Sequence, residues 1–126
     1  RCRRGAAPAG RGGRILSAVT KPDGKDQAHQ HAEIARQRQA IDAVDEQLLT
    51  LLSQRASAAL VIARAKRALG LPIYDPVREQ TILDRVRDHN QGPFEDDAVT
   101  SLFERIIDET RRLERRTRDR GLPEEP

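Results

Sequence analysis

Residues 26–69 read DQAHQHAEIARQRQAIDAVDEQLLTLLSQRASAALVIARAKRAL and contain neither proline nor glycine. Helix-breaking residues flank the stretch, namely Pro22 and Gly24 before it and Gly70 and Pro72 after it. Within it, apolar residues recur at intervals of three and four, the spacing of one helical face: Ile34, Ile41, Val44, Leu48, Leu51, Leu52, Ala59, Ile62 and Ala63. One helix of this length would measure roughly 60 Å, about twice the diameter of a small domain. A single chain of 126 residues cannot cover it, so we expect a second copy of the chain to pack against it.

Composition favours a single all-α domain. Charged side chains make up 34% of the residues and aromatic ones only 2%, so a core must come from Leu, Ile, Val and Ala, which suits packed helices. Such a core is thin in one chain, and oligomerisation is the usual remedy. The single cysteine, Cys2, excludes a disulfide framework. Because the longest wholly apolar run, residues 58–63, is too short to cross a bilayer, we expect a cytoplasmic protein without a membrane span.

The sequence predicts three segments. Residues 1–24 are rich in Arg, Gly and Ala and lack periodicity, which is typical of a disordered extension. Residues 25–116 should form the helical domain, and residues 117–126 a flexible tail, because the helical pattern gives way to an Arg-rich run after Glu114.

Two shorter helices follow the long one. Gly70 is a typical left-handed helix stop, and Asp75-Pro76 predicts an N-cap and first position for a second helix ending near Asn90. Its apolar face should comprise Val77, Ile82, Leu83 and Val86. After the break at residues 91–93, a third helix should begin near residues 95–97. Its buried face should comprise Val99, Leu102, Phe103, Ile106, Ile107, Thr110 and Leu113.

Cations on the long helix are the strongest candidates for chemistry, because the sequence has no Gly-rich phosphate loop and no Ser/His/Asp set. Only three histidines are present, so no metal site is expected. Arg55 and Lys66 are eleven residues apart, which returns them to within roughly 20° of one direction, about 16 Å along the axis. Arg38 is rotated from them by roughly 100°, as a residue serving a neighbouring chain would be. Each cation alone would be typical of a solvated helix face.

Taken together, these residues resemble a known family. The chain from about Ile34 to Glu114 is similar to the AroQ-type chorismate mutases, on an ordered set of residues: Arg38, Ile41, Val44, Asp45, Leu48, Leu49, Leu51, Leu52, Arg55, Lys66, Asp75, Pro76, Val77, Arg78 and Glu79. Residues 90–96 resemble in particular the mutase domain that some bacteria fuse to DAHP synthase. The resemblance implies an intertwined all-helical homodimer that rearranges chorismate to prephenate in phenylalanine and tyrosine biosynthesis, within the shikimate pathway, and needs no cofactor.

The resemblance also implies roles for the cations and for one residue of the third helix. Arg38 would reach across from the partner chain and bind one substrate carboxylate, and Arg55 would bind the other. Lys66 would bridge a carboxylate and the ether oxygen, and Arg78 would support the carboxylate side. Thr110 stands where the family often has Ser.

Three carboxylates complete the implied site. Asp75 and Glu79 would hold the ring hydroxyl of the substrate. Glu114 stands where many bacterial members have a Gln that donates to the ether oxygen, while the fungal branch has a Glu. Because a carboxyl group donates only when protonated, we expect a raised pKa for Glu114 and a turnover that falls as pH rises through it. The alternative is a surface acid paired with Arg111 or Arg118.

Other interpretations of the same sequence stay open. An isochorismate pyruvate lyase would use the same fold and cations on a related ether. A regulatory module would bind chorismate or prephenate and restrain a separate DAHP synthase. A nucleic-acid binder would use the basic run Arg111–Arg120, but few aromatics are available for stacking and acids are mixed with the basic residues, so we expect no nucleic-acid partner.

Overall fold

The structure, a computed structural model, describes residues 23–120, which form three helices and no strand. Helix α1 spans Gly24–Leu69, α2 spans Pro76–His89 and α3 spans Asp96–Asp119, so the all-α prediction is confirmed. Residues 1–22 of the expected extension and residues 121–126 of the expected tail lie outside the described residues.

Helix α1 begins two residues before Asp26, where the sequence predicted its start. Asp23 explains the difference, because its Oδ1 accepts a hydrogen bond from the backbone N–H of Asp26 at 2.8 Å. This is the contact of an N-cap side chain with an otherwise unpaired donor of the first turn. Gly24 is therefore helical rather than a boundary.

The end of α1 agrees with the prediction. Gly70 has a φ of 70°, and its N–H donates to the carbonyl of Arg67 at 3.2 Å while that of Leu71 donates to Lys66 at 2.8 Å. These two hydrogen bonds form a Schellman motif, which requires a left-handed residue at the position of Gly70. The motif turns the chain sharply into the connector 71–75.

The chain divides into two compact units after Asp45. In the first, the N-terminal half of α1 exposes Ile34, Ile41 and Val44 by 47%, 57% and 52%. In the second, the same helix exposes Leu48 by 50% and Leu51 by 59%. The apolar face of α1 is thus uncovered within each unit, and the homodimer stays a prediction.

Helices α2 and α3 pack on each other in the second unit. Ile107 of α3 is buried, and Ile82, Leu83 and Val86 of α2 are half-buried, as expected. Two positions of the predicted apolar faces were wrong: Val77, in the first turn of α2, is 76% exposed, and Leu102 is 51% exposed.

Helix α3 continues five residues past Glu114, where the sequence predicted fraying to begin. The physical reason is Thr117, which is buried and extends the packed face by one further turn after Leu113. The predicted domain boundaries, between residues 24 and 25 and between residues 116 and 117, stay predictions.

By length and composition, α1 is the one described helix that could cross a membrane, with a mean hydropathy of 1.2 in its most apolar window. Such a helix is weak evidence for a span, because long helices of soluble proteins meet the same criterion.

Candidate active site

A cavity of about 410 Å³ lies in the second unit, between the C-terminal half of α1, the connector 71–75, the first turns of α2 and the C-terminal half of α3. Alanines form its α1 wall at positions 58, 59 and 63, and Ala63 is only 2% exposed. Because alanine side chains are short, this part of the helix leaves room for a ligand. Four isoleucines supply further apolar surface: Ile62, Ile73, Ile82 and Ile107.

Seven of the eight predicted site residues line this cavity: Arg55, Lys66, Asp75, Arg78, Glu79, Thr110 and Glu114. They come from all three helices and from the connector, and up to 59 positions separate them in sequence. The eighth, Arg38, belongs to the first unit, where its side chain is exposed. The structure therefore brings the seven together, and their roles toward a substrate stay predictions.

Arg55 is half-buried and directed toward α3. Its Nη1 lies 3.4 Å from Thr110 Oγ1, to which it donates. Thr110 in turn donates its hydroxyl proton to the carbonyl of Ile106 at 2.7 Å. The hydroxyl therefore accepts from Arg55 along a fixed direction, which holds one edge of the guanidinium against α3 and leaves its other donors for an anion.

Lys66 is held by the connector that follows α1. Its Nζ donates to the carbonyl of Ile73 at 3.4 Å and lies 3.9 Å from Asp75 Oδ2. Asp75 uses its other oxygen, Oδ1, to accept from the backbone N–H of Arg78 at 3.0 Å, which caps α2 as predicted. One aspartate thus starts α2 and faces the ammonium group, and the weak 3.9 Å contact leaves Lys66 able to donate to a ligand.

Arg111 is a residue of the site that sequence reasoning missed. Its Nη2 donates to Glu79 Oε1 at 2.9 Å and to Asp108 Oδ1 at 3.3 Å, and its guanidinium lies 5.3 Å from the centre of the Tyr74 ring. It lines the cavity. Helical spacing was an available signal, because Arg111 follows Ile107 by four residues and precedes Glu114 by three. Its assignment to a basic surface run concealed it.

Glu114 is half-buried and lines the cavity between α1 and α3. Burial raises the pKa of its carboxyl group, and Glu79 raises it slightly further, whereas the positive charges of Lys66, Arg67 and Arg111 oppose the rise. The pKa of Glu114 is raised on balance, in the direction that the sequence predicted.

Neither alternative partner of Glu114 pairs with it. Arg111 forms ion pairs with Glu79 and Asp108, and Arg118 forms an ion pair with Asp119 at 3.0 Å. Glu114 is thus not the surface acid of a helical ion pair, and its carboxyl group is available to the cavity.

The cavity carries an excess of positive charge, because seven of its lining residues are basic and three are acidic. Partial enclosure by apolar walls strengthens the attraction between such cations and an anion. Within residues 23–120 no cluster of His, Cys, Asp and Glu has the makings of a metal site. The arrangement suits a compact ligand with more than one negative charge and a hydroxyl group.

Residues 37–115 match the family model described as chorismate mutase type II. The match covers more than half of the chain and contains every residue of the cavity lining except Arg118. The chain belongs to the chorismate mutase type II family. The predicted AroQ-type family is thereby confirmed.

A solved structure of chorismate mutase (form II) from Thermus thermophilus is similar to the chain, with a TM-score of 0.65 and 38% sequence identity. The matched region covers 67% of this chain and 96% of the chain in that structure. A curated chorismate mutase from Methanocaldococcus jannaschii is 33% identical over 66% of this chain and 85% of its own length.

A bifunctional chorismate mutase/prephenate dehydratase from Neisseria gonorrhoeae is 38% identical over 62% of the chain, which spans only 21% of that relative. This relative thus combines chorismate mutase with a second activity, prephenate dehydratase. The closer likeness to a domain fused to DAHP synthase stays a prediction.

Proposed function

We propose that this chain is a chorismate mutase, which rearranges chorismate to prephenate in aromatic amino acid biosynthesis. The observation that carries the proposal is the convergence of Arg55, Lys66 and Glu114 on one cavity, in a chain of the type II family. The reaction is unimolecular: the ether C–O bond breaks as a C–C bond forms, and no atom or proton is gained or lost. It therefore requires neither a nucleophile nor an external oxidant.

The cations have a direct task in such a reaction. Chorismate is a dianion, and a planar guanidinium binds a carboxylate through two parallel hydrogen bonds. Arg55, which α3 holds by one edge through Thr110, binds one carboxylate. Arg38 of the second copy of the chain binds the other carboxylate, and Arg78, in the first turn of α2, supports the carboxylate side. Holding both carboxylates folds the substrate into the conformer in which the reacting carbons approach each other, which accounts for a large part of the barrier lowering.

Lys66 and Glu114 act where negative charge develops. As the ether bond breaks, its oxygen becomes more negative, and donors aimed at that atom stabilise the transition state more than the ground state. Lys66 donates from α1 and the protonated Glu114 from α3. The ring hydroxyl donates its hydrogen bond to the carboxylates of Asp75 and Glu79 at the start of α2. This contact fixes the orientation of the ring.

The active enzyme is an intertwined homodimer in which Arg38 of each chain completes the site of the other. The exposed apolar face of α1 supports this, because Ile41, Leu48 and Leu51 are each half or more exposed in one chain. An uncovered apolar stripe of this extent marks an interaction surface. A cytoplasmic enzyme is consistent with this assignment.

A role beside DAHP synthase is the second candidate, favoured by the sequence of residues 90–96. Asn90 organises this loop, since its Nδ2 donates to the carbonyl of Phe94 and to Asp96 Oδ1, both at 2.8 Å. Co-purification with a DAHP synthase, and a change in its feedback sensitivity, would support that role.

The test of the enzymatic proposal is an assay of chorismate consumption and prephenate formation. Wild-type protein should convert chorismate to prephenate, and Arg55→Ala and Lys66→Ala should each lose on the order of 100- to 1,000-fold in kcat/KM. Arg112→Ala is the matched control, because Arg112 is exposed, pairs with Glu109 at 3.1 Å and lies outside the cavity lining. Isochorismate is offered in parallel. Formation of salicylate and pyruvate without prephenate would contradict the proposal and assign a lyase.

A further inference from the structure

Arg111 is fixed by contacts with three different parts of the chain. Glu79 of α2 accepts from its Nη2 at 2.9 Å, Asp108 on its own helix accepts from the same atom at 3.3 Å, and Tyr74 of the connector presents its ring at 5.3 Å. Because a guanidinium is planar and rigid, an ion pair at one end and an aromatic ring beside it determine the plane of the group. Arg111 therefore joins α3 to the start of α2.

Stability alone does not account for this placement. The Nε of Arg111 is buried and has no hydrogen-bond partner among the described residues. A buried donor without a partner has a cost in stability, because its hydrogen bonds to water are lost and not replaced. An apolar residue would cover the Tyr74 ring without that cost, so the gain from arginine must lie in what its other end contacts.

That contact engages one oxygen of Glu79 and directs the other. Nη2 binds Oε1, and the side chain of Glu79 lies at the cavity with 23% of its surface exposed. Because Oε1 is engaged by Arg111, Oε2 is the oxygen left to accept a hydrogen bond from a ligand. The matching acid Asp75 needs no such support, because its Oδ1 is fixed by the backbone of Arg78.

We propose that Arg111 is a positioning residue that orients Glu79 toward the ring hydroxyl of the substrate. This assignment rests on the proposed function. In this assignment Arg111 acts through Nη2, which already serves the carboxylates of Glu79 and Asp108. Its effect on catalysis therefore passes through Glu79.

A double-mutant cycle measures this dependence. Arg111→Met should lower kcat/KM roughly tenfold. KM should rise by a larger factor than kcat falls, because the ring hydroxyl takes no part in bond making or breaking. Glu79→Ala should lower kcat/KM by itself but add little in the Arg111→Met background. Arg111→Lys, which can still reach Glu79 with a positive charge, should recover part of the loss.

Arg112→Met is the matched control, since it removes the neighbouring exposed arginine that is not part of the cavity lining. Circular dichroism and thermal unfolding establish that each variant is folded. Should Arg111→Met lose helical structure, Arg111→Gln provides the same comparison.

Two results would overturn the assignment: effects of Arg111→Met and Glu79→Ala that multiply in the double variant, or a loss in Arg111→Met no greater than in Arg112→Met. Both leave the wild type active on chorismate. Failure of the proposed function is a different result, namely no prephenate from the wild type, and it would remove the assignment with it.

Discussion

Replacement of Glu114 by Gln should abolish a pH dependence that the wild type possesses. Burial between α1 and α3 raises the pKa of Glu114, against the opposing charges of Lys66, Arg67 and Arg111. A carboxyl group with a raised pKa is protonated, and able to donate, at pH values where an ordinary glutamate is not. As pH rises through that pKa the proton is lost, and turnover should fall.

The expected size of the effect follows from the titration of one proton. Above the pKa of Glu114, the donating fraction falls about tenfold for each pH unit, so log(kcat/KM) should decline with a slope of about −1. A glutamine amide donates at every pH, and Glu114→Gln should therefore show no such decline. At the high-pH end the variant should be more active than the wild type.

The assay is prephenate formation at constant ionic strength between about pH 5 and pH 9, with the uncatalysed rate subtracted. Glu109→Gln is the matched control, because Glu109 lies on the same helix, pairs with Arg105 and Arg112 and is outside the cavity lining. A flat wild-type profile, or the same decline in Glu114→Gln, would refute the donor role of Glu114.

Further predictions concern stability and assembly. Gly70→Ala should lower the free energy of unfolding by about 1–2 kcal/mol, because Gly70 has a φ of 70°, where a side chain strains the backbone even though nothing lies within 4 Å of an added Cβ. Gly24→Ala, at an open helical position, is the control and should not lower the free energy of unfolding. Equal unfolding midpoints for the two variants would contradict this. Asp75→Ala should cost about 1 kcal/mol in thermal unfolding through loss of the N-cap, whereas Asp75→Asn should keep most of it; a similar loss in both would exclude capping as the cause. Leu48→Lys should convert the dimer to monomer in sedimentation analysis, while Thr50→Lys, about 200° around the helix, should not; an unchanged dimer would remove the apolar face of α1 from the interface.

The three helices could be predicted from local signals because each boundary has a local cause. Gly70 ends α1 through its left-handed backbone, and Asp75 starts α2 through a hydrogen bond within four residues. The early start of α1 has the same kind of cause at Asp23, a potential N-cap that the flanking Gly24 obscured. The continuation of α3 to Asp119 instead accompanies burial of Thr117, a polar residue that the apolar pattern does not mark as part of a packed face.

The candidate site likewise contains residues that the sequence identified and residues that only the folded chain reveals. Arg55 and Lys66 were identified by spacing along one helix and by a family resemblance, and both line the cavity. Arg111 was missed because its identity as a site residue depends on Tyr74 and Glu79, which lie 37 and 32 positions away. The exposure of Val77 was likewise not predictable, since an apolar residue in the first turn of a helix can face either way.

Subunit complementation tests the central claim most directly, because it asks whether two copies of the chain complete one site for chorismate. Arg38→Ala and Lys66→Ala proteins are each expected to be nearly inactive. If Arg38 acts across the interface, a mixed dimer contains one site with both residues intact, and random mixing should restore about one quarter of the wild-type prephenate formation. No recovery, with mixed dimers demonstrated by differently tagged chains, would contradict the account.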